Sequence, residues 1–316
     1  MSEFETRTPE SVQAEIRRTR HRKELPLYVI LTIIGLIAAT IMCVNMVANP
    51  GDSDPEMQQL HDSLEQEIGP ENPDLMKTAI LIISFFTGVG SLLLLIVGSL
   101  VSVYTLYANQ MSYSIRVSEK NFPKIYAKVQ EYTRLLGLKK EPEVYVTQMN
   151  GQLNALTSWV PGKVFIQLNA EIVDVAYMEN KDFETVFFVM AHEFGHAYLR
   201  HVQLPISMWP VLASFVPAIG TVLVNTLQRA REFSSDRVAQ ALTGGVKQVE
   251  TMMLLTAGRH LYHYMDAEDY LERISAHHNA VERFARWCVN LLATHPIAPL
   301  RVRAILDPEK RSGHLL

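Results

Sequence analysis

From Leu27 to Ala48, and again from Thr78 to Ile115, the chain carries no charged side chain. A helix needs roughly 20 apolar residues to cross the hydrocarbon core of a bilayer. The first run meets that length and the second exceeds it, its most apolar part being "AILIISFFTGVGSLLLLIVGSLVSVY". A helix of a soluble core keeps one face polar and seldom needs so long an uncharged stretch. The sequence therefore predicts two transmembrane helices. A cleaved leader fits less well, because the first run is longer than a leader's apolar stretch and follows a tail of more than twenty residues.

Basic residues orient the pair. Arg17, Arg18, Arg20, Arg22 and Lys23 precede the first span, residues 49–76 hold no Lys or Arg, and Arg116, Lys120, Lys124 and Lys128 follow the second. Positive charge stays inside. The reading is a cytoplasmic basic tail (1–24), a transmembrane hairpin (25–110) whose acidic loop (49–77) faces out, and a cytoplasmic domain (111–316). The acidity of the loop reads as solvation. A bacterial inner membrane is the default location, since the acidic start "MSEFETRTPE" argues against a mitochondrial presequence. A net charge of -4 offers no footprint for nucleic acid. The two cysteines, Cys43 and Cys288, are too few for a disulfide framework or a cysteine metal cluster. Any metal must rest on His, Asp or Glu.

Beyond the spans the pattern changes. Phe122, Ile125, Tyr126, Val129 and Tyr132 recur at helical spacing. "EVYVTQ" (143–148) alternates like a strand, and "LTSWV" and "KVFIQL" are joined by the turn dipeptide Pro161-Gly162. The fold class is mainly α with a small antiparallel sheet. Asp182 is a plausible N-cap for the apolar helix "FETVFFVMAHEFGHAYLRH".

Within that helix, His192 and His196 lie one turn apart and project from one face, so both can bind one ion. Glu193 stands beside that face, placed to serve a metal-bound water as general base. Burying two His and a Glu in an apolar helix is costly without a partner, and a cation supplies one. A catalytic zinc needs a third protein ligand. "REFSSDR" offers Glu232, with Asp236 one turn on as acceptor for a ligand imidazole N–H. On the residues alone, that stretch reads equally as a solvated helix surface.

"HEFGH", then "EFSSD", then "THPIAPLR" in that order resemble the membrane-bound zinc metallopeptidases of the HtpX and CAAX prenyl endopeptidase family, a branch of the gluzincins. The likeness covers roughly residues 121–305 and includes the strands before the helix. It implies one zinc per chain on His192, His196 and Glu232, with Glu193 as catalytic base. It further implies Asp236 as the partner behind a ligand, and His295 and Arg301 reaching toward the substrate carbonyl. Protein or peptide substrates would add as a strand near Asn154 and Ala155, a mode largely independent of side chains. Membrane protein quality control is the implied role. There are departures. Ser235 stands where the family usually has Ala, and the prenyl endopeptidases have many more spans, so CAAX processing is not supported. HtpX is usually drawn with a second hydrophobic pair inside the domain, where this chain has only residues 204–224.

That segment, "LPISMWPVLASFVPAIGTVLV", carries a topological constraint. A single crossing there would put Glu232 on the other side of the membrane from His192 and His196. Pro205, Pro210, Pro217 and Gly220 argue against one unbroken helix. A re-entrant hairpin, a membrane-surface hairpin or a flap is expected, with an ordinary buried helix pair as the plainer possibility. His201, five positions after His196, points to a supporting or surface role. His260, His263, His277 and His278 read as solvated, and Met252, Met253 and the residues around Trp287 as core packing. Two rivals stand beside the peptidase. One is an inactive or gated zinc-binding relative that holds client peptides, and the other a membrane scaffold whose "HEFGH" is accidental.

Overall fold

The computed structural model describes residues 7–16, 20–48, 55–69, 71–179, 181–275 and 279–306. Arg17, Arg18, the first residues of the acidic loop (49–54) and the pair His277 and His278 lie outside the described residues, as does the stretch 1–6.

The described chain divides into two compact units: Tyr28–Ser102 with Met208–Val224, and Met1–Leu27 with Val103–Ser207 and Asn225–Leu316. The first holds most of α2 (Glu24–Ala48), then α3 (Pro55–Ile68) and most of α4 (Pro73–Tyr113). Helices α2 and α4 are long and apolar enough to cross a membrane. Their large side chains point outward, with Phe86 68% and Leu94 75% exposed. Exposed apolar side chains along two helices of this length fit a membrane-facing surface. The two helices approach closely at Gly88, where a Cβ would come within 3.3 Å of Cys43 Sγ. Both cysteines are free.

Most of the 204–224 segment, from Met208 on, lies in the same unit. A short helix, α8 (Leu204–Val211), interrupted at Pro210, passes into a 3-10 turn (Leu212–Phe215). The chain then doubles back into α9 (Ile219–Thr243). Gly220 sits so close to Ala213 that any Cβ would overlap its carbonyl oxygen. No single helix spans 204–224. The prolines end the helix because each lacks the N–H that the next turn needs.

In the other unit a four-stranded sheet runs in the order β1-β2-β4-β3: β1 (Ile115–Arg116), β2 (Glu143–Thr147), β3 (Ala155–Val160) and β4 (Lys163–Asn169). Two ladders are antiparallel, and β2 with β4 is parallel. The parallel ladder arises because the Pro161-Gly162 turn, with Gly162 at φ 87°, folds β3 onto the far side of β4. The chain must therefore step past β4 after leaving β2, and β3 becomes an edge strand.

The core lies between α5 (Pro123–Leu136), the sheet and α7 (Phe183–Tyr198), with α6 (Ala170–Asp174) and α10 (Gln248–Ala257) closing it. Ile125, Val129 and Tyr132 of α5 are buried as their spacing requires, and Gly137 ends that helix in the left-handed region. Met252 and Met253 belong to this core. So do Val12 and Ile16 of α1 (Pro9–Ile16), so the segment before the first long helix is packed into the domain. The last described elements are α11 (Ala267–Ser275), α12 (Ala280–Leu292) and α13 (Ala298–Leu306).

The residues around Trp287 correct the sequence reading. Helix α12 turns Val281, Phe284, Val289 and Leu292 outward, and buries Asn290. It is held through its last carbonyls, Leu292 O accepting from Asn225 and Leu291 O and Ala293 O from Arg229, so its apolar side is not its packing side.

Candidate metal centre

Helix α7 is started by Asp182, whose carboxylate accepts from Thr185 N at 3.2 Å. It then runs buried through Val186–Gly195, because nearly every side chain there is apolar. His192 and His196 leave one face of it with their Nε2 atoms 3.1 Å apart. Glu232, on α9, brings Oε2 to 3.4 Å from His192 Nε2 and Oε1 to 3.3 Å from His196 Nε2. The ligand-capable atoms of the three residues all lie within 4.8 Å of one another. Two imidazole nitrogens and one carboxylate oxygen are donor atoms that could hold a metal ion, and they are of the kinds zinc takes.

One close approach sets this geometry. Gly195 lies against α9, where a Cβ would meet the Cα of Ser235 at 2.9 Å. Only hydrogen fits there, and the backbones of α7 and α9 touch. Ser235 has its hydroxyl buried with no hydrogen-bond partner.

Asp236 and His201, behind the two histidines, are also buried. His192 Nδ1 lies 2.8 Å from Asp236 Oδ1. Arg301 grips Asp236 with two bonds, Nε to Oδ2 at 2.9 Å and a terminal nitrogen to Oδ1 at 2.6 Å. It passes 3.9 Å from Glu232. Its guanidinium therefore serves Asp236 at the back of His192. His295 sits at the cleft mouth, its side chain 69% exposed and Nε2 3.6 Å from Glu232 Oε1. Behind His196 stands His201, buried, with the two Nδ1 atoms 3.1 Å apart. His201 Nε2 in turn meets Glu24 Oε1 at 3.1 Å. His260 and His263 are exposed.

Charge at the centre is lopsided. Burial alone would lift the Asp236 carboxyl, but Arg301 and His192 bring it down to about 2. Glu232 is likewise held well below its usual range, against its burial, by His192 and His196. His192 would lose its proton on burial, yet Asp236 and Glu232 push it up to about 10. Burial pulls His201 the other way, down to about 3. The two carboxylates and His192 thus favour one another's charged forms in the buried cluster.

Next to the cluster is a cleft of about 450 Å³, lined by Asn154, Ala155 and Ser158 of the edge-strand segment and by Glu193, His295 and Leu255. Thr157 Oγ1 reaches from β3 to Glu193 Oε2 at 2.6 Å and fixes that carboxylate beside His192 and His196. Sequence reasoning missed Thr157 and Glu24. Thr157 looks like any strand residue. Glu24 could have been noticed as the single acid in "RHRKELPLY", at the head of an apolar span.

The three ligand-capable residues, the carboxylate beside them and the sheet edge are all drawn from the region that a family model recognises. The model of peptidase family M48 matches residues 119–309. No curated protein and no solved structure matches the chain. With well over half of its length under that match, the chain belongs to peptidase family M48, the family of the HtpX and CAAX prenyl endopeptidase metallopeptidases.

Proposed function

We propose that the protein is an integral membrane, zinc-dependent endopeptidase that cuts unfolded or membrane-associated proteins, with membrane protein quality control as its role. The observation that carries this reading is the convergence of His192, His196 and Glu232 with Glu193, all within one cleft beside an unpaired sheet edge. One zinc would be held by the three ligands, and when bound it supplies Lewis acidity to water and to the scissile carbonyl. Glu193 accepts a proton at its carboxylate and returns it to the departing amine. The Thr157 hydroxyl holds Glu193 Oε2 in place for that transfer. Asp236, itself held by Arg301, accepts from His192 Nδ1 and keeps the lone pair of Nε2 directed at the ion. His295, at the open end, can donate to the oxyanion that develops.

Substrate would enter extended, adding to the free side of β3 near Asn154 and Ala155, where main-chain bonds give affinity with little regard to side chain. Such selection suits unfolded segments. Helices α2 and α4 would cross the membrane, with the tail 1–24 and the domain 111–316 both in the cytoplasm. The basic residues on either side of the spans and the loop's lack of them support this, and a bacterial inner membrane fits. The helical hairpin of 204–224 leaves Glu232 free to share a side with His192 and His196.

The test is hydrolysis of casein by the detergent-solubilised protein with added zinc, run beside Glu193→Gln. Cleavage is expected from the wild type and lost in the variant. Equal cleavage by both would overturn the role of Glu193.

A further inference from the structure

Each ligand imidazole in the proposed zinc site has its second nitrogen pointed at something, and the two arrangements run in parallel. His192 Nδ1 meets Asp236, which is gripped by Arg301. His196 Nδ1 meets His201, which meets Glu24, which is paired with Arg20. The first chain lies within the peptidase motifs. The second ends on Glu24, the first residue of α2, where the N-terminal arm (the described residues up to Glu24) enters that helix, 177 positions before His201 in sequence.

The proton positions along the second chain follow from ligation. His196 Nε2 faces His192 Nε2 and Glu232 and is the ligand atom, so the proton of a neutral ring must sit on Nδ1. That N–H donates to His201 Nδ1. His201 then carries its own proton on Nε2 and donates it to Glu24 Oε1. A carboxylate only accepts, so Glu24 admits no other order. Glu24 is 2% and His201 5% exposed, so water does not compete for these bonds. The arm is fastened at the same place: Ser234 Oγ donates to Glu24 Oε2, His21 N donates to Ser234 Oγ at 2.9 Å, and Arg20 donates to Leu199 O at 2.9 Å.

We propose that Glu24 is a positioning residue of the metal centre, acting through His201 to fix the tautomer and orientation of His196, so that tight metal binding requires the N-terminal arm in place. The proposal rests on the reading of His196 as a ligand. A carboxylate that merely anchored the arm would have no need of His201. The route through a second imidazole is what ties the arm to the metal.

The experiment uses the full-length protein in detergent and two readouts. One is zinc affinity by chelator competition, and the other the visible ligand-field spectrum of the Co(II)-substituted protein. Glu24→Gln, His201→Asn and the double variant are compared with wild type. Glu24→Gln is expected to weaken zinc binding about tenfold or more, the scale for partners of ligand imidazoles, and to shift the Co(II) bands. The double variant should be no worse than His201→Asn alone, because the two residues act in series. Zinc affinity within twofold of wild type and an unchanged spectrum in Glu24→Gln would overturn the proposal, as would additive losses in the double variant. Should Glu24→Gln fail to fold, His201→Asn carries the same test, since it leaves the contacts of Arg20 and Ser234 in place. Failure of the underlying reading looks different: His196→Ala would then bind zinc as tightly as wild type.

Discussion

Replacing Gly195 by alanine tests whether the contact between α7 and α9 builds the metal site. The new Cβ would stand 2.9 Å from Ser235 Cα and 3.1 Å from both its Cβ and its carbonyl oxygen. The obstacle is mostly backbone, so no side chain can swing away. Restoring ordinary van der Waals separation moves the helices apart by roughly 0.5 Å. Overpacking of this kind costs about 1–3 kcal/mol, and the better helix propensity of alanine offsets about 1 kcal/mol of it. A net loss of roughly 1 kcal/mol should lower the melting temperature of the metal-free protein by about 2–4 °C. The effect on the metal should be larger. Glu232 lies one turn before Ser235 and moves with it, and a ligand displaced by about 0.5 Å is at the tolerance of a working site. Zinc affinity is expected to fall about tenfold, comparable to the loss of a partner behind a ligand. Thermal unfolding with and without chelator, together with zinc competition, reads both effects. A Gly195→Ala protein that melts and binds zinc like wild type would refute the claim that this contact sets the ligand geometry.

The companion change, Ser235→Ala, removes a buried hydroxyl that has no partner. Metal-free stability should hold or rise by up to about 1–2 kcal/mol, and a measured loss of more than that would mean the hydroxyl has an unseen use. Asp236→Asn should weaken zinc binding about 10- to 100-fold; an unchanged affinity in chelator competition would show that His192 needs no carboxylate behind it. In the metal-free protein His192 is held protonated up to about pH 10 by Asp236 and Glu232, despite its burial, so an incoming ion must displace that proton. Zinc affinity should therefore rise with pH by about tenfold per unit up to that value. Calorimetry at pH 8 in buffers of different ionisation enthalpy should report proton release on binding, and none released would contradict the raised value. The corresponding stability has a definite sign: the share from His192 is full below 6.5 and is lost as pH rises through about 10, while the share from Asp236 is present above 3.8 and is lost as pH falls through about 2. Thr157→Val should lower kcat for casein more than it raises KM, because the hydroxyl it loses donates to Glu193; a change confined to KM would reassign Thr157 to binding.

Much of the architecture was legible because it is written locally. The absence of charge over a bilayer's length marks α2 and α4, and a period of 3.6 puts His192 and His196 on one face whatever surrounds them. Pro161-Gly162 marks its turn, and Asp182 its helix start. The parallel β2–β4 ladder was not readable, since it depends on which side of β4 the hairpin strand settles. Nor was the outward apolar face of α12, because the pattern of an amphipathic helix does not say which side meets the protein.

The sequence by itself determined that two apolar helices exist, that a histidine pair shares a helix face with a glutamate beside it, and that no unbroken helix fills 204–224. Periodicity, length and proline chemistry act over a few residues, so they survive without a fold. Only the tertiary structure decided that Glu232 closes on that pair, that Arg301 is bound to Asp236, and that Glu24 stands behind His196. These are contacts between residues from 36 to 177 positions apart. They exist because Gly195 lets two helices touch and because the N-terminal arm packs into the core, and neither condition leaves a periodic trace in the chain.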